Sequence, residues 1–282
     1  MKNILVPIDF SPYSLSAAKA AAAIALKCGS NVHLLHIADI PVGWDKQSVA
    51  QQQKYPLFED RLVEAEMKLD KFAKLPIFKN CNVGTNVQGG VAFEQINIFA
   101  KRNKMTLIVM GVHGAGESEF KFIGSTAQRV IRTAPCPVLG VKKNFNFGGL
   151  KKILFASDFD EDVSPFVNTI KNLAYDFGAN IDFAYINTAS NFVDDSTMQA
   201  RMKNFVIVQK RVKFHTVIQN SNEKEEGILE CAKKRSANMI AMVTHLRREK
   251  SSYLVGVTES ILFKSKLPVL SFVIDEARYQ LK

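Results

Sequence analysis

The sequence lacks the features that mark several large classes of protein. No apolar run approaches the 18 residues that suggest a membrane-spanning helix, because the longest, residues 20–26, is short and lies between two lysines. Its four cysteines are far apart without a C-x-x-C pair, and its five histidines show no metal-binding spacing. Reduced, packed cysteines are therefore expected, and no histidine metal site is visible. The opening residues resemble a strand rather than a signal peptide, so a cytoplasmic location is the default expectation.

Two familiar phosphate-binding motifs are also absent. The chain has no G-x4-G-K-[ST] loop, and the turn after the first predicted strand reads Asp9-Phe-Ser-Pro, without the glycines of a dinucleotide fingerprint. The formal net charge of +10 comes from scattered lysines and arginines, without an arginine-rich run or interleaved aromatic residues. A solvated basic surface is therefore favoured over a nucleic-acid interface.

What the chain does contain is an internal repeat. Residues 2–40 align without a gap with residues 151–189, at an offset of 149, and the C-terminal portions align at an offset of 132. A hydrophobic content of 47% and a length of 282 residues suit a folded protein of two ordinary domains. The predicted domains are residues 1–143 and 151–282, and residues 144–150 form a linker that is rich in turn-forming asparagine and glycine.

Each copy alternates short apolar runs with helix-like segments. In the first copy, strands are predicted near residues 2–8, 31–38, 80–87, 106–112 and 137–142, and helices around residues 14–28, 57–75, 91–103 and 125–133. Strands that are apolar on successive residues fit a sheet covered on both faces. The alternation predicts an α/β fold in which each domain is a five-stranded parallel doubly wound sheet. Ligands of such sheets bind beyond the carboxyl ends of the strands.

The most informative segment of the first copy lies at that edge. Gly111, Gly114, Gly124 and Ser125 follow the spacing G-x2-G-x9-G-S between an apolar strand and a helix-like run. Glycines allow close approach of the backbone to a ligand, and a helix start offers unpaired N–H groups to an anion. A bound phosphate, and so a nucleotide, is the functional interpretation. An ordinary loop with a serine cap is the structural alternative.

In this segment and others the chain resembles the universal stress protein family, in its tandem two-domain form. The resemblance rests on the glycine spacing and on residues 4–11, 34–39, 107–114 and 134–139, which together span nearly all of residues 1–143. It implies two Rossmann-like (adenine nucleotide alpha hydrolase-like) domains, with helices on both faces of each sheet. It also implies ATP, with or without Mg²⁺, as the ligand and a regulatory role in the stress response.

Carried onto this chain, the resemblance implies one adenine-nucleotide site, in the first domain. Asp9 would lie on the base and ribose side, Ile37 against the adenine, and the end of the glycine segment around the phosphates. Capping of the following turn is the alternative for Asp9, and a packing role is the alternative for His113. The complete set of implied binding residues is Pro7, Ile8, Asp9, Ile37, Met110, Gly111, His113, Gly114, Gly124, Ser125 and Thr126.

The second copy lacks most of this signature, although Gly256 and Asp158 are retained. Bulky apolar side chains replace two glycines and the serine: Gly111 aligns with Val243, Gly114 with Leu246 and Ser125 with Val257. β-Branched valine takes a positive φ only at a cost, and these side chains fill space that phosphates would need. We therefore expect the second domain to bind ATP poorly. Because the fold is expected to recur without these glycines, they are attributed to a ligand rather than to the fold.

The tandem form further implies that the two domains form an intrachain pseudo-dimer, through the strands at residues 137–141 and 268–272. Assembly into a homo-oligomer stays open. A slow ATPase or self-phosphorylating enzyme and a partner-binding scaffold with an incidental nucleotide are the alternatives to an ATP-binding regulator. Hydrolysis needs a base or a positioned water and usually a metal held by carboxylates, so a non-enzymatic role is favoured. Trp44, the single tryptophan, either covers the adenine or, as favoured here, anchors its own loop.

Overall fold

The computed structural model of the chain describes residues 1–44, 47–48, 50, 54–113, 123–143, 147, 149–160, 163–205, 212–245 and 256–274. The chain divides into two compact units. The first unit holds Met1–Gly111 and Gly124–Asn146, and the second holds Val112–Ile123 and Phe147–Lys282.

In the first unit, five strands alternate with helices as the apolar pattern predicts. The strands are β1 (Asn3–Pro7), β2 (Asn31–Ala38), β3 (Asn82–Gly89), β4 (Leu107–Gly111) and β5 (Val138–Val141). The helices are α1 (Pro12–Cys28), α2 (Pro56–Ala73), α3 (Ala92–Arg102) and α4 (Ser125–Thr133), and a 3-10 turn lies at Pro76–Phe78. Each predicted strand and helix of this copy is confirmed, with ends that differ by at most two residues.

The strands of the first unit form a parallel sheet in the order β3-β2-β1-β4-β5. Successive residues of β1, β4 and β5 are buried, which shows that both faces of the central strands are covered. The chain leaves β1 towards β2 on one side, whereas β4 lies on the other side. The carboxyl ends of β1 and β4 therefore flank the point where the strand order reverses, which is where open α/β sheets bind ligands.

Local sequence signals set the ends of α1. The Ser11 side chain accepts a hydrogen bond from the backbone N–H of Ser14 (3.2 Å), and Pro12 occupies the first helical position, where no N–H is needed. Gly29 ends the helix with φ of 63°, a left-handed conformation that glycine adopts without strain. Between these ends the helix is rich in buried alanines, and small side chains allow it to lie close to the sheet.

The second unit has the same alternation. Its strands are β6 (Lys152–Ala156), β7 (Asn180–Asn187), β8 (Phe214–Asn220), β9 (Met239–His245) and β10 (Val269–Ile274). Its helices are α5 (Ser164–Phe177), α6 (Asp195–Lys203), α7 (Lys224–Lys234) and α8 (Val257–Lys264). The parallel strand order is β8-β7-β6-β9-β10, which reproduces the order of the first unit. Each unit is thus a five-stranded parallel α/β sheet, as predicted.

The two units correspond residue by residue at the offsets found in the sequence. β1 and β6 begin 149 residues apart, and α3 and α7 both begin and end 132 residues apart. Even an unusual backbone conformation recurs, because Phe10 and Phe159 both take a positive φ, of 63° and 55°. A positive φ is rare for a bulky side chain, so its recurrence supports the alignment of the two copies.

Two further features of the chain are the hydropathy of its helices and the state of its cysteines. Over the described residues, no helix is both long and apolar enough to cross a membrane. The four cysteines are free thiols, and burial raises the pKa of Cys136 to about 12. A thiol with so high a pKa is almost entirely protonated at neutral pH and so reacts slowly.

Candidate functional site

The candidate site is the edge where β1 and β4 end side by side. The register of these strands pairs Leu5 with Ile108, so Pro7 lies level with Met110 near their carboxyl ends. On the other side of β1, Pro7 pairs with Leu35, which brings the end of β2 with Ile37 to the same edge. The fold therefore brings together the ends of β1, β2 and β4, each of which carries predicted site residues.

The turn after β1 is fixed by contacts with β2. The backbone N–H of Ile8 donates to the carbonyl of Leu35 (2.8 Å), and the carbonyl of Ile8 lies 2.7 Å from Nδ1 of His36. Because a carbonyl only accepts, this nitrogen of His36 carries the proton. The ring of Phe10, the residue with positive φ, lies 4.7 Å from the His36 ring, centre to centre. His36 therefore supports the turn that contains Asp9, a role that no sequence pattern indicated.

Asp9 performs the capping role that was its structural alternative. Its Oδ1 accepts a hydrogen bond from the backbone N–H of Ser11 (3.0 Å), directly before α1 begins. Burial raises the pKa of Asp9, but hydrogen bonds from Ser11 and Ser14 outweigh it, so the pKa is lowered overall. The side chain is nonetheless exposed at the edge, so the cap orients the carboxylate without covering it.

Gly111, the last residue of β4, lies directly against the start of α1. A Cβ at this position would come within 2.5 Å of the backbone carbon and the Cβ of Tyr13. Carbon atoms that are not bonded pack at about 3.5–4.0 Å, so any side chain would push α1 away from β4. The first unit therefore needs glycine here, contrary to the expectation that the fold tolerates its replacement.

The aligned region of the second unit has a larger residue and a later helix start. Val243 is the counterpart of Gly111, and it lies inside β9. The neighbouring helix α5 begins at Ser164, which aligns with Leu15, three residues into α1. The counterpart of Tyr13 is Asp162, which lies outside the described residues. The same sheet order can thus be built with glycine or with valine, but the adjoining helix start differs.

Gly124 precedes α4 and has its own reason to be glycine. Its φ is 90° with ψ of 133°, a backbone conformation open to glycine and strained for other residues. Ser125 begins the helix and is exposed, and Thr126 is partly exposed. Since Gly124 has no side chain and the first turn holds no acidic residue, neither the cap residue nor the first turn supplies a carboxylate to the N–H groups at this end.

The remaining predicted residues differ in how much they contribute to the edge. Ile37 is partly exposed, whereas Met110 is only 5% exposed and belongs mainly to the core. His113 is partly exposed, two residues beyond β4. Gly114 lies outside the described residues.

Trp44 is confirmed as a loop anchor. It is 3% exposed and packs in a cluster with Ala38, Ile40 and Ala65. Its ring also lies 5.2 Å from that of Phe58, in an edge-to-face arrangement. A tryptophan enclosed in this way has little surface left for an adenine.

The edge beside β2 also carries a cation, Arg61, which belongs to none of the sequence motifs. Nη1 of Arg61, on α2, lies 3.0 Å from Oδ2 of Asp39 and 2.9 Å from the Asp39 carbonyl, just beyond the end of β2. Both side chains are well exposed. No group of three or more His, Cys, Asp or Glu side chains with metal-binding geometry occurs among the described residues.

In the second unit, the residues aligned with the signature are engaged with their own neighbours. Asp158, the counterpart of Asp9, forms an ion pair with Lys224, whose Nζ lies 2.9 Å from Oδ2. Gly256, the counterpart of Gly124, has φ of −77°, which any residue can adopt. A Cβ on Gly256 would instead collide with Oε2 of Glu259. The glycine retained in the second copy therefore makes room for a carboxylate rather than for a positive φ.

A parallel sheet with strand order β3-β2-β1-β4-β5 and a site at the reversal point defines a Rossmann-like α/β protein. Residues 1–142 match the model of the universal stress protein family. The chain belongs to this family.

Individual relatives support the assignment. The chain is 35% identical over 145 residues to universal stress protein MJ0531 of Methanocaldococcus jannaschii, a match covering 50% of this chain and 82% of that protein. Universal stress protein Slr1230 of Synechocystis is similar over the whole length, with 23% identity over 296 residues, 96% of this chain and 100% of that protein. The crystal structure of a universal stress protein from Archaeoglobus fulgidus superposes with a TM-score of 0.76 at 18% identity, covering 95% and 97% of the two chains. At that identity the superposition shows a shared fold.

Proposed function

We propose that the first unit binds ATP at the carboxyl edge of β1 and β4, and that the protein is an ATP-binding regulator of the stress response rather than an enzyme. Membership of the universal stress protein family supports the stress-response part. The strand order and the glycine spacing support the nucleotide part.

The observation that carries the proposal is the start of α4. Gly124 holds a positive φ that only glycine adopts freely, and it delivers the chain to a helix whose first turn has no acidic residue. Unpaired N–H groups and the positive end of the helix dipole favour an anion at such a position. The exposed hydroxyl of Ser125 adds a hydrogen-bond donor beside them. Together these groups suit a phosphate of the nucleotide.

The base and ribose are assigned to the other side of the same edge. Ile37 offers a partly exposed apolar side chain at the end of β2, which suits a flat base. Asp9 offers a carboxylate that Ser11 orients and that is exposed, which suits a ribose hydroxyl. A nucleotide combines the three chemistries that this edge presents: an apolar base, a hydroxyl-bearing sugar and an anionic phosphate.

Ser125→Val is the sharpest test, because α8 begins with Val257 and so shows that a valine can start this helix. Isothermal calorimetry with ATP, ADP, AMP and cAMP is to be compared between the wild type and the variant. Loss of a hydrogen bond to a charged phosphate is expected to weaken ATP binding about 10- to 100-fold. The matched control is Val257→Ser, which makes the reverse change in the second unit and is expected to leave the affinity and stoichiometry unchanged.

Two results would contradict the proposal: a wild type that binds none of these nucleotides, or a Ser125→Val variant that binds ATP as tightly as the wild type. Mass spectrometry of the purified protein adds an independent measurement, with one adenine nucleotide per chain expected. Incubation with ATP for hours separates binding from catalysis. Rapid turnover that is lost in Asp9→Ala would favour the ATPase alternative instead.

We also propose that the second unit binds ATP poorly and serves as the built-in partner of the first, through the strands at residues 137–141 and 268–272. The basis is the loss of the signature at Val243 and Val257, together with the repeated sheet. Light scattering of the full chain tests the pairing, with the mass of a single chain expected. A mass of two chains would favour pairing between molecules.

A further inference from the structure

The second unit carries charged side chains at two positions where the first unit has alanine. Lys224, the first residue of α7, aligns with Ala92, the first residue of α3. Glu259, the third residue of α8, aligns with Ala127, the third residue of α4. Both charged residues contact the counterparts of proposed nucleotide-binding residues.

The cationic side chain of Lys224 is directed at Asp158, which follows the first strand of the second unit, β6. Nζ of Lys224 lies 2.9 Å from Oδ2 and 3.2 Å from Oδ1 of Asp158, and both side chains are more than half buried. In the first unit the aligned Asp9 is exposed and has an alanine at the matching helix start. The carboxylate is therefore neutralised by an internal lysine in one unit and presented to solvent in the other.

The anionic side chain of Glu259 is directed at the start of α8, the last helix of the second unit. Glu259 is only 3% exposed, and its carboxylate folds back over Gly256, the residue directly before α8. A negative charge at the third helical position complements the positive end of the helix dipole. A phosphate at the same place in the first unit would interact with the dipole of α4 in the same way.

We infer that Glu259 is an internal substitute for a ligand phosphate, and that Ala127 is the specificity-determining residue that leaves the start of α4 open to an external anion. The second unit supplies from its own chain both charges that line the edge. It is closed to nucleotide by occupancy as well as by the bulk of Val243 and Val257. The part concerning Ala127 rests on the proposed function of the first unit, whereas the part concerning Glu259 does not.

The first experiment places the carboxylate in the first unit. In Ala127→Glu, the new side chain is expected to compete with the phosphate, and its neutral counterpart Ala127→Gln controls for the added volume at this buried position. Calorimetry is expected to show ATP binding about 30-fold weaker for the glutamate than for the glutamine variant. Equal affinities in two variants whose circular dichroism matches the wild type would overturn the role of Ala127.

The second experiment removes the carboxylate from the second unit, and it needs no nucleotide. Glu259→Ala is expected to lower the melting temperature in sodium chloride. When sulfate replaces chloride at matched ionic strength, the melting temperature of the variant is expected to rise more than that of the wild type. The control is Glu230→Ala, an exposed glutamate of α7 that pairs with Lys234. A Glu259→Ala variant with the melting temperature and sulfate response of the wild type would overturn the inference.

The two experiments separate the possible failures. A wild type that binds no ATP refutes the proposed function, and the sulfate response of Glu259→Ala then decides on its own whether the carboxylate occupies an anion position. If both Ala127 variants unfold, the same measurement decides. If ATP binds but the two Ala127 variants do not differ, the proposed function stands and the role of Ala127 falls.

Discussion

Replacing Gly111 by alanine is expected to destabilise the protein even when no nucleotide is present. The added Cβ would lie 2.5 Å from the backbone carbon and the Cβ of Tyr13 and 2.6 Å from its carbonyl oxygen. These distances are about 1 Å shorter than ordinary carbon contacts, and the obstacle is mainly backbone, so the first turn of α1 must move. Overpacking of this kind costs about 1–3 kcal/mol.

A loss of about 2 kcal/mol is a large part of the 5–15 kcal/mol that typically separates folded from unfolded domains. Differential scanning calorimetry of nucleotide-free protein is expected to show a melting temperature lower by roughly 4–8 °C, for a cooperative unit of this size. The matched control is Gly149→Ala, where nothing lies within 4 Å of the added Cβ. A nucleotide-free Gly111→Ala variant with the same melting temperature as the wild type would refute the predicted clash with Tyr13. Gly111 would then be required only by the ligand.

Three further predictions concern other parts of the two units. Asp182→Asn is expected to cost about 1.5–3 kcal/mol in urea unfolding, because the fully buried Asp182 carboxylate accepts a charge-assisted hydrogen bond from Arg235 (2.7 Å). Asp39→Asn, in an exposed pair, should cost under about 1 kcal/mol, and equal losses would refute the burial argument. The pKa of Asp9 is lowered in the folded state, so its stabilisation is present above the unfolded pKa of about 3.9 and is lost as the pH falls through the lower folded value. In Asp9→Asn, the free energy of unfolding should therefore fall less steeply at low pH than in the wild type. An unchanged pH dependence would contradict the stabilising role of the Asp9 cap. Trp44 fluorescence should be blue-shifted, poorly quenched by acrylamide and little changed by ATP, and strong quenching by ATP would restore adenine contact.

Most of the fold could be predicted from the sequence, because apolar runs and caps are local signals. Continuous burial in β4 follows from the run at residues 107–110, and the start of α1 follows from Ser11 and Pro12. The repeat predicted the recurrence of the sheet, since the same residue types recur at fixed offsets. The edge that collects the candidate residues also follows, because parallel strands carry their carboxyl ends to one side.

The partners of the site residues could not be predicted, because they come from distant parts of the chain. Nothing in the sequence near Ile8 indicates that His36 holds its carbonyl, and nothing near Asp39 indicates Arg61. The ion pair of Lys224 with Asp158 joins residues 66 positions apart. Such contacts depend on how helices pack at the sheet edge, and neither periodicity nor composition records that packing.

The glycines show most clearly what the sequence indicates and what only the tertiary structure decides. From the sequence alone, Gly111, Gly124 and Gly256 are three members of one repeated signature, and their spacing indicates the family and the edge. The tertiary structure assigns each a different cause: Gly111 admits the backbone of Tyr13, Gly124 takes φ of 90°, and Gly256 leaves room for the carboxylate of Glu259. A sequence records that a side chain is absent, but only the packed structure shows what fills the space.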